Sequence, residues 1–360
     1  MKYSILLVFI YILFILLSFA FAIQNKRGSY SVSKRQRFLL LCFFFLFVVH
    51  AFKEYSGFSD LPLYIDGLSE VNKLSWRSII EDSITSFKCE RGFALFLKLI
   101  SLISLSPLFL FFVTSFIILL GYYRIMRFYS VLPWLSVILL LTGPYVQSLY
   151  VLRQYTAISI CLFSVPFIIN RKIVPYLLLV LLAFSFHQTM IIFLPLYFLY
   201  GIKSSKLLGI VMLAITIVCV IAFQVISMYI GNALSGYESF LEGEETSRWH
   251  MTAVLVALLI IRIIVLRKRF FDQGIERLLS IALILAIAIA VGGSSLAMIG
   301  RVNIVFTAFG CLYVPSTLLS IQSKPIRFAA IISFLLVFSY VFYSSLSWDS
   351  IEDAYTFWRL

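Results

Sequence analysis

Two arginines, Arg153 and Arg301, fall at the mouths of apolar segments, in a chain whose other unpaired cations gather in short polar stretches between such segments. A guanidinium is planar, always charged and rich in donors, a match for phosphate oxygens. Two of them facing the outer aqueous phase would clamp a diphosphate by bidentate, charge-assisted hydrogen bonds, with no metal needed. Arg153 follows Gly143-Pro144-Tyr145 and opens the apolar run 154–170; Arg301 follows Gly292-Gly293-Ser294-Ser295 and opens the run 302–321. A helix N-terminus at each place would add partial positive charge toward the same anion. The plainer alternative is that each arginine anchors its helix to lipid headgroups by snorkelling.

Two further groups could move a proton. His187 lies in Ala183-Phe184-Ser185-Phe186-His187-Gln188-Thr189. Its imidazole titrates near neutral pH, so it could act as a general base or hold an anion, or simply hydrogen-bond the backbone of a bend. Glu90, beside Arg91, precedes the apolar stretch 93–106 and could be a base or a helix cap. Asp60 and Tyr64 share one face if their stretch is helical; both could bind sugar hydroxyls, and both could equally be loop structure.

The elements that must position these residues are membrane helices. Hydrophobic residues make up 62% of 360 positions and charged ones 12%, too apolar for a soluble domain. The net charge of +13 invites a nucleic-acid reading, but the cations cluster in short stretches between apolar runs, as the positive-inside rule requires. No nucleic-acid partner is expected. Cys42, Cys161, Cys219 and Cys311 lie in apolar runs and only Cys89 in a polar one, so neither a disulfide framework nor a zinc site is expected. No phosphate-binding loop or dinucleotide fingerprint appears, and no cofactor is expected.

Roughly 20 apolar residues cross a bilayer. The first such run, Tyr3 to Ile23, ends near Ala20-Phe21-Ala22, which resembles a signal-peptidase site. Cleavage would leave Lys26, Arg27, Lys34, Arg35 and Arg37 outside, against the charge rule, so an uncleaved first span is expected. Those cations place 24–37 in the cytoplasm; the span from Phe38 then leads to a long outer polar stretch, 53–92. An odd number of crossings must follow before Arg124 and Arg127, so 93–106 reads as an amphipathic interfacial helix rather than a span. Further spans are expected at 107–123, 131–147 and 154–170, with an outer turn starting at Thr142-Gly143-Pro144. Residues 173–202 lie between two basic sites and are too few for two full crossings, which predicts a hairpin of short helices bent near His187. Spans at 207–229, 250–266, 277–297, 302–321 and 327–346 complete an all-α polytopic protein of about 11–12 membrane or half-membrane helices in one domain.

In order along the chain, Gly57-Phe-Ser-Asp60-Leu-Pro-Leu-Tyr64, Glu90-Arg-Gly92-Phe93, Arg153-Gln154, Phe186-His187, and Arg301 with Phe306 resemble the EpsG family. These are bacterial polysaccharide polymerases similar to the Wzy O-antigen and capsule polymerases. The resemblance implies an inverting, metal-independent glycosyltransferase in the bacterial cytoplasmic membrane with its site facing the periplasm or exterior. Its substrates would be oligosaccharide repeat units on undecaprenyl pyrophosphate, and a chain-length regulator would be a partner alongside the bilayer. Carried onto these positions, Arg153, Arg301 and Gln154 would hold the pyrophosphate, His187 and Glu90 would serve catalysis, and Asp60, Tyr64 and Arg91 would meet the sugar. An O-antigen ligase would use the same donor but typically carries a larger late outer loop than 230–249. A lipid-oligosaccharide flippase should show two pseudo-symmetric halves, which this chain lacks. A membrane O-acyltransferase also uses a histidine in an apolar setting, but no Asn or Asp partner is evident.

Overall fold

The computed structural model describes residues 4–24, 32–55, 58, 60–81, 89–233, 245–292 and 297–345. Loops expected to carry topology charge at Lys26 and Arg27, and the acidic stretch with Glu238, Glu242 and Glu244, lie outside them. So do the side chain of Trp249 and the terminal residues Trp348, Asp349, Glu352, Asp353 and Trp358. The described chain is an all-α polytopic membrane protein. Its helices are α1 (Ser4–Gln24), α2 (Val32–Ala51), α3 (Leu61–Lys73), α4 (Trp76–Ile80), α5 (Arg91–Ser101), α6 (Pro107–Tyr129) and α7 (Pro133–Leu140). They continue with α8 (Leu152–Phe163), α9 (Val165–Ile169), α10 (Ile173–Phe186), α11 (Pro195–Gly201), α12 (Ser205–Ala233) and α13 (Glu245–Leu266). The last are α14 (Ile275–Gly292), α15 (Ala297–Thr307), α16 (Gly310–Leu319) and α17 (Lys324–Ser345). Among the described residues five stretches are long and apolar enough to cross a bilayer: Pro107–Tyr129, Leu152–Ile169, Ser205–Ala222, Ile275–Gly292 and Lys324–Tyr343.

The chain forms two compact units. The first comprises Met1–Val165, Leu178–Met190 and Ala329–Leu360; the second comprises Pro166–Leu177 and Ile191–Phe328. In the first, α2 and α8 both pack along α6, α1 packs on α7, and α3 packs on α5. Ser159 of α8 donates to the Ile118 carbonyl of α6 at 2.9 Å, tying the two helices by a hydrogen bond across their apolar contact. Arg35 donates to the carbonyls of Met126 and Arg127, so a cation read from sequence as topology charge also caps the end of α6.

The expected interfacial helix is present, and other expectations change in detail. At 11 residues, α5 spans about 16 Å and cannot cross a bilayer. It buries Phe93, Ala94, Leu97 and Ile100 and exposes Leu99, as an interfacial helix should. The polar stretch before it is not a simple loop, since it contains α3 and α4. Thr142-Gly143-Pro144 does not start a turn. Pro144 has no N–H to give, and the helix passes it by widening into a π-helical turn, Leu141–Tyr145, before a last α turn, Val146–Ser148. His50, at the end of α2, is fully buried, with Nδ1 2.6 Å from Ser115 Oγ and Nε2 3.0 Å from Ser148 Oγ. Lys53 is buried beside it, donating to the His50 carbonyl at 2.9 Å and lying 4.8 Å from the Phe111 ring centre. Residues 173–202 form α10, a 3-10 segment (Gln188–Phe193) and α11.

In the second unit α14 is the hub, packed on by α12, α13, α15 and α11. Arg262 of α13, near the end of an apolar run, is completely buried. Its guanidinium is satisfied on every side. Nε donates to Ser280 (3.0 Å), Nη1 to Thr317 (3.0 Å) and Ser316 (3.3 Å), and Nη2 to the Glu276 carboxylate (2.7 Å) and carbonyl (3.0 Å). The network joins α13, α14 and α16. Removing one member of a buried pair leaves an uncompensated charge and costs about 3–5 kcal/mol. Arg262→Ala should therefore unfold at markedly lower temperature in detergent, while Arg262→Met with Glu276→Gln should recover much of the loss. Equal melting of wild type and Arg262→Ala would contradict a tie of this kind.

Candidate functional site

Glu90 stands at the N-cap position of α5 with extended backbone, yet its side chain makes no capping bond. The carboxylate reaches elsewhere. Oε1 accepts the Gln188 N–H at 2.9 Å, and Oε2 lies 3.0 Å from Arg153 Nη1. Arg153 is the second residue of α8, so the pair forms where two helix starts and the end of α10 meet in the first unit. The side chains are 14% (Glu90) and 22% (Arg153) exposed, which strengthens their attraction yet leaves an approach for a ligand.

The close meeting of α5 and α10 depends on Gly92. A Cβ there would lie 2.1 Å from Ser185 Oγ and 2.6 Å from the Ser185 carbonyl oxygen. No side chain fits, and the backbone of α10 would have to retreat. Beneath this contact the Phe93 ring meets Phe186 edge-on at 6.0 Å and Tyr64 edge-on at 5.7 Å. Tyr64 is therefore buried in an aromatic cluster, which suits support of the site better than contact with sugar. Asp60 is the N-cap residue of α3, and its side chain makes no capping bond.

His187 follows directly on α10. Thr189 N–H lies 3.3 Å from its Nδ1, and Thr189 Oγ1 lies 2.8 Å away. A backbone N–H can only donate, so Nδ1 is an acceptor and the neutral ring carries its proton on Nε2. That tautomer favours hydrogen-bond donation over proton abstraction.

Thus Glu90, Arg153 and the Phe186-His187-Gln188 corner come together, with Tyr64 and Phe93 below them. Gln154, beside Arg153, is buried, whereas Arg91 is exposed. Arg301 belongs to the second unit, and its side chain lies outside the described residues. It is the fifth residue of α15, a full turn inside that helix rather than at its start, and the single expected span 302–321 is split into α15 and α16. Phe306, further along α15, stacks on Phe193 at 6.3 Å. Glu90 and Arg153 lie 63 positions apart, and nothing in their spacing encodes the pair or the part played by Gly92. A glycine two residues after an acid, at the start of an amphipathic helix, was the available signal for a close backbone approach.

No curated protein and no solved structure matches the chain. The model of the EpsG family matches residues 36–358, nearly the whole of it, and the protein belongs to that family.

Proposed function

We propose that the protein is a membrane polysaccharide polymerase that joins oligosaccharide repeat units carried on undecaprenyl pyrophosphate, at the outer face of the bacterial cytoplasmic membrane. Family membership supports a polymerase-type function. The observation that carries the finer reading is the mostly buried Arg153–Glu90 pair, which sets an anion-binding cation against a carboxylate base.

In the proposed reaction a sugar hydroxyl of one lipid-linked unit attacks the anomeric carbon of another. The bond from that carbon to the pyrophosphate oxygen breaks, its electron pair leaves with undecaprenyl pyrophosphate, and the hydroxyl proton passes to a base. A single displacement inverts the anomeric centre. Arg153 meets the charge developing on the leaving oxygen, where electrostatic stabilisation contributes most. An incoming diphosphate competes with Glu90 for Arg153 and so releases the carboxylate to take the proton. His187 donates from Nε2 to the diphosphate or to a sugar oxygen. Gln154 supports Arg153, and Asp60 and Arg91 meet the sugar. A separate chain-length regulator is the proposed protein partner.

The test uses purified protein in nanodiscs given lipid-linked repeat units alone. Longer glycans and one undecaprenyl pyrophosphate released per new linkage are expected. Transfer only when a lipid A core acceptor is added would make the protein a ligase, and no new linkage under either condition would remove glycosyl transfer altogether. In the same assay Gly92→Val should lower the rate about 100-fold, because forcing α5 from α10 misplaces Glu90 by around an ångström. An unchanged rate in that variant would mean that the helix contact does not position the site.

A further inference from the structure

Within the second unit, three cations that the polymerase reading does not use line one cavity of about 330 Å³. They are Arg171, Lys203 and Arg277, joined by Tyr200, Gly201 and Gln273. All three cations flank stretches that the charge distribution assigns to the cytoplasm, so the bland reading is topology charge lying in water. Three observations go beyond that reading.

Arg277 is only 6% exposed, although the cavity reaches it. Its Nη2 donates to the Ile202 carbonyl, its guanidinium lies 5.9 Å from the Tyr200 ring centre, and its Nε has no hydrogen-bond partner among the described residues. Arg171 is held in left-handed backbone, φ 55°, at the helix end where glycine is the usual residue. A branched or bulky residue keeps such a conformation only when its surroundings insist on it. Its guanidinium lies 3.9 Å from the Tyr197 ring centre and directly against Gly201, where a Cβ would come within 2.5 Å of Nη2. Among the described residues none of the three cations pairs with a carboxylate. The nearest acid in sequence, Glu276, is committed to Arg262. Cations gathered around a concavity with no carboxylate paired to them, one of them desolvated, are suited to an anion.

We propose that this cavity binds a phosphoester anion, with the guanidinium groups of Arg171 and Arg277 on one phosphate and Lys203 at the rim. Helix α14 begins two residues before Arg277, and its N-terminus adds partial positive charge. The volume is near the lower end for small-molecule pockets, which suits a phosphate headgroup and not a sugar chain. The same chemistry can come from an anionic phospholipid or from a soluble phosphate.

Full-length protein in nanodiscs of phosphatidylcholine, with and without phosphatidylglycerol, distinguishes the two sources by thermal unfolding. Inorganic phosphate is the soluble probe, with sodium chloride at equal ionic strength as the control. A rise of roughly 2–4 °C is expected with one of the two probes. A rise with phosphate assigns a soluble ligand; a rise only with phosphatidylglycerol assigns a headgroup. Arg171→Gln with Lys203→Gln should lose most of that rise. Gly201→Ala, which keeps every charge but displaces the Arg171 guanidinium, should lose it too. No rise in wild type, or a full rise in Gly201→Ala, would overturn the proposal.

Discussion

Arg153→Ala should reach the membrane at the wild-type level and release undecaprenyl pyrophosphate about 100- to 1,000-fold more slowly. The magnitude is that of removing one preorganised donor from a developing oxyanion. The loss should fall on the chemical step, because the charge that Arg153 meets grows as the sugar–oxygen bond breaks. Arg153→Lys should recover only part of the rate, since an ammonium keeps the charge but cannot make the planar two-point contact. The variant is also expected to fold. The Glu90 carboxylate keeps the Gln188 N–H at 2.9 Å, so the loss of Arg153 does not strip it of every partner. A wild-type rate for Arg153→Ala, measured as undecaprenyl pyrophosphate release in nanodiscs, would remove Arg153 from the mechanism.

Glu90→Gln should be nearly as damaging, about 100- to 10,000-fold, the range for loss of a general base. The amide is isosteric and its oxygen can still accept from Gln188, so the corner between α5 and α10 should keep its shape. What is lost is the charge. Without it Arg153 has no anionic competitor at this position, and donor substrate should bind at least as tightly as in wild type. The expected signature is therefore a fall in kcat with unchanged or lower KM. A purely structural role for Glu90 would instead lower the amount of folded protein and leave the kcat of what remains unchanged.

Much of the architecture is legible in the sequence because the bilayer constrains it so strongly. The long apolar runs had to become helices, and α5 was recognisable as too short and too one-sided to cross. What stayed hidden were the polar contacts within apolar surroundings. Arg262 has the sequence signature of a topology cation, and only packing brings Ser280, Ser316, Thr317 and Glu276 around it. His50 sits at a helix end and reads as interfacial until α6 and the turn after Tyr145 bring Ser115 and Ser148 to its two nitrogens. Pro144 beside Gly143 reads as a turn because the one-dimensional rule does not include the option of a π-helical widening.

The candidate site was legible in part for the same reason. Arg153 and Glu90 were each identifiable as charged groups at the edge of apolar segments, where charge is costly and tends to be functional. Their pairing was not, because it depends on the angle at which α5, α8 and α10 converge, and Gly92 sets that approach from a position with no side chain. The tautomer of His187 depends on the backbone after α10, and no spacing in the sequence encodes it.

The most direct test is a glycan ladder in a host lacking its own polymerase for this polysaccharide, with wild type and Arg153→Ala expressed at equal membrane levels. A ladder of multiple repeats with wild type, and single repeats with Arg153→Ala, is the expected result. Single repeats reaching the surface with both proteins would contradict polymerisation and favour a ligase.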